Sequence, residues 1–151
     1  MSWLIYRATE DQVGAAYAIM QEYYTAASVV VRESREEFQE QYFGEGAGVW
    51  LVEADGGVVG CVALRRLVGV AQAGEIKRMY VRQSYRGQGI ADLLLETLEK
   101  YAGECGYKWL YLDTAAEMKA AARFYARKGF QGCESYNENP QAAFFMRKQI
   151  R

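Results

Sequence analysis

The sequence predicts a single α/β domain, and three observations carry that expectation. Hydroxyl residues that can cap a helix open stretches in which apolar side chains recur at helical spacing. Between them lie runs rich in β-branched and aromatic residues, bounded by glycine, asparagine or aspartate, which read as strands. With 151 residues, 51% hydrophobic and 14% aromatic, the chain can bury one substantial core, and no linker, repeat or low-complexity stretch divides it. One domain over residues 1–151 is expected.

The elements follow in order. Residues 4–8 read as an edge strand. Thr9 with Gln12 forms a capping-box pattern, and behind it Val13, Ala16, Tyr17, Met20 and Tyr24 fall on one face of a helix running to about Ala27. Ser34 with Glu37 opens a shorter helix marked by Phe38 and Tyr42 and ended by Gly44, Gly46 and Gly48. Residues 49–54 and 58–67 are strands joined by the tight-turn signal Asp55-Gly56-Gly57, a hairpin. Residues 69–74 read as a loop and 75–81 as a further strand. From Ile90 the spacing turns helical, with Leu94, Leu98 and Tyr101 on one stripe and Gly106 as the C-terminal cap. A strand over 107–113 follows. Thr114 with Glu117 is the third capping-box pattern and opens a helix over 115–128, stopped by Gly129-Phe130. Two strands over 130–136 and 142–148 surround the turn-like Asn137-Glu138-Asn139-Pro140. The expected order is β-α-α-β-β-β-α-β-α-β-β.

Composition excludes several functions. Lys+Arg 18 against Asp+Glu 19, with no long block of either sign, argues against nucleic acid or an anionic membrane as partner and favours a small molecule or single peptide. The start Met1-Ser2-Trp3-Leu4-Ile5-Tyr6-Arg7 lacks the pattern of a signal peptide, and no window approaches the roughly 20 apolar residues of a membrane helix. A cytoplasmic protein is expected. Cys61, Cys105 and Cys133 are odd in number and far apart, so reduced thiols are expected, and with His 0 no metal site is. Histidine-based triads are excluded outright. Any proton transfer must use carboxylate, tyrosine, lysine, cysteine or water.

The sharpest feature is Val81-Arg82-Gln83-Ser84-Tyr85-Arg86-Gly87-Gln88-Gly89-Ile90-Ala91, a strand end, a polar loop with two glycines and an immediate helix start. Glycines let consecutive amides point into one concavity and the helix N-terminus adds partial positive charge, so such a loop can hold a pyrophosphate. It is not a Walker loop, lacking Gly-Lys-Ser/Thr, and Asp92 stands where a dinucleotide fingerprint needs its third glycine.

Arg86, Gly89 and Ala91 meet the pattern Arg/Gln-x-x-Gly-x-Gly/Ala, and the string resembles the cofactor loop of the GNAT acetyltransferase superfamily. Glu75-Ile76-Lys77-Arg78-Met79-Tyr80-Val81 resembles that family's fourth strand, Leu112-Asp113-Thr114 its fifth, and residues 122–130 its last helix and stop. The resemblance implies a mixed sheet, splayed between the fourth and fifth strands and flanked by about four helices. Acetyl-CoA would be the co-substrate, held by Arg86, Gly87, Gln88, Gly89, Ile90 and Ala91, with its pantetheine arm paired to main-chain groups of Met79, Tyr80 and Val81. A bulge at this place in the family frees an amide for the thioester oxygen, oxyanion chemistry made from backbone.

By the same resemblance Tyr125 donates a proton to the departing thiolate. Glu75, beside the cleft, and Asp113, where some relatives carry a carboxylate, are the candidate bases, each with a structural or substrate-orienting role as its alternative. Met118 stands where many relatives that acetylate protein N-termini carry asparagine, which favours a small amine, an amino acid or polyamine, over a peptide. Tyr23, Tyr24, Tyr42 and Tyr136 flank the acceptor side and are either an aromatic seat for a cationic amine or core. A CoA-binding sensor without turnover and a transferase of another acyl group remain as alternatives, and a homodimer stays open.

Overall fold

Each expected helix and strand has a counterpart, in the expected order, in a computed structural model that describes residues 2–151. These are β1 (Leu4–Arg7), α1 (Val13–Ala27), α2 (Arg35–Tyr42), β2 (Gly48–Ala54), β3 (Gly57–Arg66), β4 (Ala73–Val81), α3 (Ile90–Glu104), β5 (Trp109–Thr114), α4 (Lys119–Arg127), β6 (Gln131–Gly132) and β7 (Phe144–Gln149). Single 3-10 turns over Glu10–Gln12 and Gln83–Tyr85 lead into α1 and out of β4.

The strands form one seven-stranded mixed sheet in the order β1-β2-β3-β4-β5-β7-β6. Every neighbouring pair is antiparallel except β4 and β5, which run parallel. A parallel pair needs a crossover, and α3 supplies it.

β2 and β3 are apolar almost throughout because helices cover both faces of the sheet. Val49, Leu51, Cys61 and Ala63 join Ala16, Met20, Phe38 and Tyr42 of α1 and α2 on one face. Trp50, Val52, Val62 and Leu64 join Ile90, Leu94, Leu95 and Leu98 of α3 on the other. α2 starts where expected: the Glu37 amide donates to Ser34 Oγ at 3.1 Å, and the Ser34 amide donates to Glu37 Oε1 at 3.0 Å. At its far end α3 is closed by Gly106 at φ +87°, and the Tyr107 amide donates to the Ala102 carbonyl at 3.0 Å.

Two expectations fail locally. Thr114 caps no helix: it closes β5 opposite Phe144, its carbonyl accepts from the Ala143 amide at 2.8 Å, and α4 begins only at Lys119. Sheet pairing claims the main chain that a capping box would need. The strand expected over 130–136 shrinks to Gln131–Gly132, because Asn137 and Asn139 fold the following chain into turns. Their Oδ1 atoms accept from the amides of Asn139 and Gln141, each at 3.0 Å.

Packing between β3 and β4 leaves no room beside Gly60, where a Cβ would stand 2.7 Å from the Tyr80 carbonyl oxygen and 3.5 Å from Val81 Cα. Neither backbone atom can step aside without opening the strand pair. Gly60→Ala is expected to cost about 1–3 kcal/mol of stability, read as a lower urea midpoint at unchanged m value. An unchanged midpoint would show that the two strands yield freely.

Candidate active site

The site begins where β4 and β5 part. Only Ala73, Gly74 and Glu75 pair with Trp109, Leu110 and Tyr111; beyond them the strands run on to Val81 and Thr114 without pairing each other. On its other side β4 gains a residue: Cys61 stands opposite Tyr80 and Ala63 opposite Lys77, so Arg78 and Met79 together face Val62. This is a β-bulge, and Arg78 within it has φ +62°. A bulky residue in that conformation costs of order 1–3 kcal/mol unless its surroundings hold it there. The bulge also shifts the side-chain phase. Ile76 points to the α3 core, Arg78 and Tyr80 to the α1–α2 side, and Met79 and Val81 back to the α3 core.

From the end of β4 the chain enters the glycine loop. Gly87 (φ +80°) and Gly89 (φ +86°) are both left-handed, and a Cβ at either would meet nothing within 4 Å. The loop therefore needs glycine for its backbone conformation and leaves open space in front of it. Gly89 is the N-cap of α3, and the first helical bond is the one Leu93 makes to the Gly89 carbonyl at 3.2 Å. The Ile90, Ala91 and Asp92 amides precede it and have no intrahelical acceptor. Arg86 turns back, its Nε donating to the Val81 carbonyl at 2.8 Å, which ties the loop to the end of β4. Arg82 grips Glu22 of α1 through Nε and Nη2, both at 2.8 Å, and these bonds hold the Glu22 carboxyl below the usual carboxylate range.

Tyr125, on α4, is 4% exposed and packs against Phe124 and Phe130. Burial, followed by the nearby Tyr23 hydroxyl, pushes its pKa well above the ordinary phenol value, so it stays protonated. Tyr23 belongs to α1, on the opposite face of the sheet from α4; burial pushes it up to about 12.

Glu75 and Asp113 lie on the α1–α2 side, joined by Lys77. The Lys77 ammonium is 3.8 Å from Glu75 Oε2 and 3.7 Å from Asp113 Oδ1. Glu75, 2% exposed, also accepts from Arg65 Nε at 3.0 Å and the Tyr136 hydroxyl at 2.8 Å. Asp113 accepts from Asn137 Nδ2 at 2.6 Å and Asn139 Nδ2 at 3.4 Å. Glu75 sits at the closed end of the split, opposite Tyr111, whereas Asp113 lies beyond the last β4–β5 pair. Val30, between α1 and α2, meets the loop before β7 that also carries Asn137 and Asn139: Gln141 Oε1 accepts from the Val30 amide at 3.3 Å and its Nε2 donates to the Val30 carbonyl at 3.4 Å.

The structure thus brings together Met79, Tyr80 and Val81, the loop 86–91, Tyr125 and Asp113 around one split, with Glu75 at its base. Tyr42 cannot line an acceptor seat, being fully buried, and Tyr24 is 7% exposed. The Arg78 guanidinium already occupies their faces, 5.2 Å from the Tyr24 ring centroid and 4.9 Å from that of Tyr42. Tyr23 and Tyr136 remain beside the split. Sequence reasoning did not single out Lys77, Arg78, Arg65, Glu33, Asn137 or Asn139 as site residues. The available signal was Glu75-Ile76-Lys77-Arg78, three charges in a strand that ends up central to the sheet.

The Acetyltransferase (GNAT) family model matches residues 14–130. The chain is 33% identical over 122 residues to the uncharacterized N-acetyltransferase YjgM of Escherichia coli, covering 80% of this chain and 71% of that protein. An uncharacterized N-acetyltransferase of Schizosaccharomyces pombe is matched over 61% of its length and N-acetyltransferase 8 of Mus musculus over 39%, so the chain spans only part of these curated relatives. An acetyltransferase of the GNAT family from Staphylococcus aureus superposes with TM-score 0.84 at 18% identity, covering 99% of this chain and 100% of that one. PaiA N-acetyltransferase from Thermoplasma acidophilum, solved in complex with coenzyme A, gives TM-score 0.76 at 18% identity, with 99% of each chain covered. These likenesses show the fold.

Cys61 lies directly under the bulge, fully buried, its Sγ donating to the Arg78 carbonyl at 3.4 Å, and burial pushes its thiol far above the ordinary value. Cys105 and Cys133 are partly exposed. In the native protein an aromatic disulfide reagent is expected to modify Cys105 and Cys133 and to reach Cys61 only on unfolding. Three fast thiols would show that the strand pair beneath the bulge opens readily.

Proposed function

Because this chain belongs to the acetyltransferase (GNAT) family, we propose that it transfers the acetyl group of acetyl-CoA to the primary amine of a small molecule by direct attack in a ternary complex. The observation that carries this reading is the conjunction of a split parallel strand pair, a bulge on its lip and a glycine loop opening a helix at the same end. PaiA N-acetyltransferase, of the same fold, was solved with coenzyme A, which supports the choice of donor.

In this reading the amides of Gly87 to Ala91 and the positive end of α3 hold the pyrophosphate, while Arg86 keeps the loop folded against Val81. Main-chain groups of Met79, Tyr80 and Val81, which have no partner on β5, pair with the extended pantetheine as a strand would. The bulge amide meets the negative charge that grows on the thioester oxygen. The amine nitrogen attacks the carbonyl carbon, the carbon–sulfur bond breaks, and Tyr125 gives its proton to the thiolate sulfur. Free tyrosine titrates at ~10 and a thiol at ~8.5, so donation is downhill only where the site holds the thiolate pKa up or a water relays the proton. Burial raises the pKa of Tyr125 itself, so the thiolate must be desolvated at least as strongly or receive the proton through water. The proton lost by the amine goes to Asp113, directly or through water; Glu75, held by Arg65 and Tyr136, orients the acceptor from the closed end of the split. Met118 at the position of the relatives' asparagine supports a small amine over a peptide.

Acetyl-CoA is expected to raise the melting temperature, since a ligand of the folded state alone stabilises it by about 2.7 kcal/mol at a hundred times its Kd. Gly89→Glu should abolish the shift. No shift at millimolar acetyl-CoA removes the donor assignment, and binding without thiol release across an amine panel supports a sensor instead.

Tyr125→Phe keeps the ring and removes the proton, so turnover should fall about 10²-fold while acetyl-CoA affinity barely moves. Because burial raises the Tyr125 pKa, the acid form persists as pH rises. kcat/KM for the amine should therefore climb from pH 7 toward the amine pKa, with no descending limb below pH 10 or so. Near-wild-type turnover of the variant, with chemistry rate-limiting, would assign the proton to water.

A further inference from the structure

Arg78 is the one non-glycine residue of the split strand in a left-handed conformation, at φ +62°. Its side chain holds one carboxylate and two aromatic rings. Nη1 donates to Glu33 Oε1 at 2.7 Å, with both side chains less than a tenth exposed, and the guanidinium carbon lies over the Tyr24 and Tyr42 rings. Its carbonyl accepts from the Cys61 thiol.

Glu33 is held in turn. Oε1 also accepts from the Tyr24 hydroxyl at 3.3 Å, Oε2 accepts from Gln41 Nε2 at 3.1 Å, and its carbonyl accepts from the Tyr17 hydroxyl at 3.0 Å. Three residues before it, Val30 is pinned to Gln141 of the facing loop. One side chain thus connects the backbone of the bulge to the segment that meets the loop carrying Asn137 and Asn139, the donors to Asp113.

We propose that Arg78 is a positioning residue that sets two things at once: the bulge whose amide faces the acyl donor, and the wall of residues 28–34 that faces the acceptor amine. Its planar guanidinium suits the task, since it stacks on two rings and pairs with a carboxylate in one geometry, which an ammonium does not. The clamp holds a backbone conformation that an unclamped arginine would leave. The inference rests on the acetyl-transfer reading for the identities of donor and acceptor, and on the contacts alone for the coupling between bulge and wall.

Arg78→Gly separates the two parts, because glycine adopts positive φ freely and keeps the bulge while losing the clamp. The variant should bind acetyl-CoA within about threefold of wild type, yet raise KM for the amine tenfold or more. Amides of residues 29–34 should exchange hydrogen faster, with α1 unchanged. Arg78→Lys should fall between the two, and Glu33→Gln should reproduce the amine effect from the other end of the pair, which keeps the test open if Arg78→Gly does not fold. Unchanged amine KM in Glu33→Gln, or in a folded Arg78→Gly, overturns the proposal. So does an equal loss of donor and acceptor affinity in a folded Arg78→Gly alongside a general fall in stability, which a merely structural arginine would give. If wild type releases no thiol with any amine, the acetyl-transfer reading fails separately. Exchange then decides for Arg78: acceleration confined to residues 29–34 supports the clamp, and acceleration spread through α1 and β4 overturns it.

Discussion

The geometry of the cleft depends on β4 having two partners that it cannot satisfy at once. Toward β3 it keeps an antiparallel ladder by taking in one extra residue at Arg78 and Met79. Toward β5 it pairs through Ala73, Gly74 and Glu75 and then lets go. A bulge bends its strand and raises the local twist, so β4 follows β3 and turns from β5. Main-chain groups left along the inner edge of β4 are costly unless something hydrogen-bonds them. An extended, amide-bearing ligand is the natural complement of such an edge.

The two faces of the split differ in chemistry because different helices cover them. On the α3–α4 side the residues are apolar, Ile90, Leu112 and Tyr125 among them, and the helix N-terminus supplies the positive potential. On the α1–α2 side Arg65, Lys77 and Arg78 alternate with Glu33, Glu75 and Asp113. Buried ion pairs of this kind contribute little net stability, because desolvation offsets their attraction. What they provide is fixed orientation: carboxylates held by several donors keep their geometry without reorganising.

What was legible in the sequence was what is local in the fold. The conformation of the glycine loop could be read because its left-handed turns at Gly87 and Gly89 and the start of α3 are set by consecutive residues, and the Ser34–Glu37 cap because its partners are three apart. The same cap pattern at Thr114 misled, since β7 competes for that backbone from a distant part of the chain. Tyr24 and Tyr42 were visible among four tyrosines flanking the acceptor side, but not the strand arginine that lies over both rings. The bulge left a trace, a three-residue step from Ile76 to Met79 where alternation calls for two. Without the pairing register that step reads as noise. Nor could spacing reveal that Asn137 and Asn139, plain turn formers, would bond the Asp113 carboxylate.

The central claim is that the split between β4 and β5, with the start of α3, is one acetyl-CoA site. Titration of isotope-labelled protein with acetyl-CoA, followed through backbone amide resonances, tests it most directly. The largest shifts should fall on residues 79–81 and 87–92, with smaller ones at 113–115 on the opposite lip. Shifts concentrated instead in the open groove of about 570 Å³ between α4 and β7, around Ala122, Cys133 and Phe144, would place the ligand outside the split and contradict the claim.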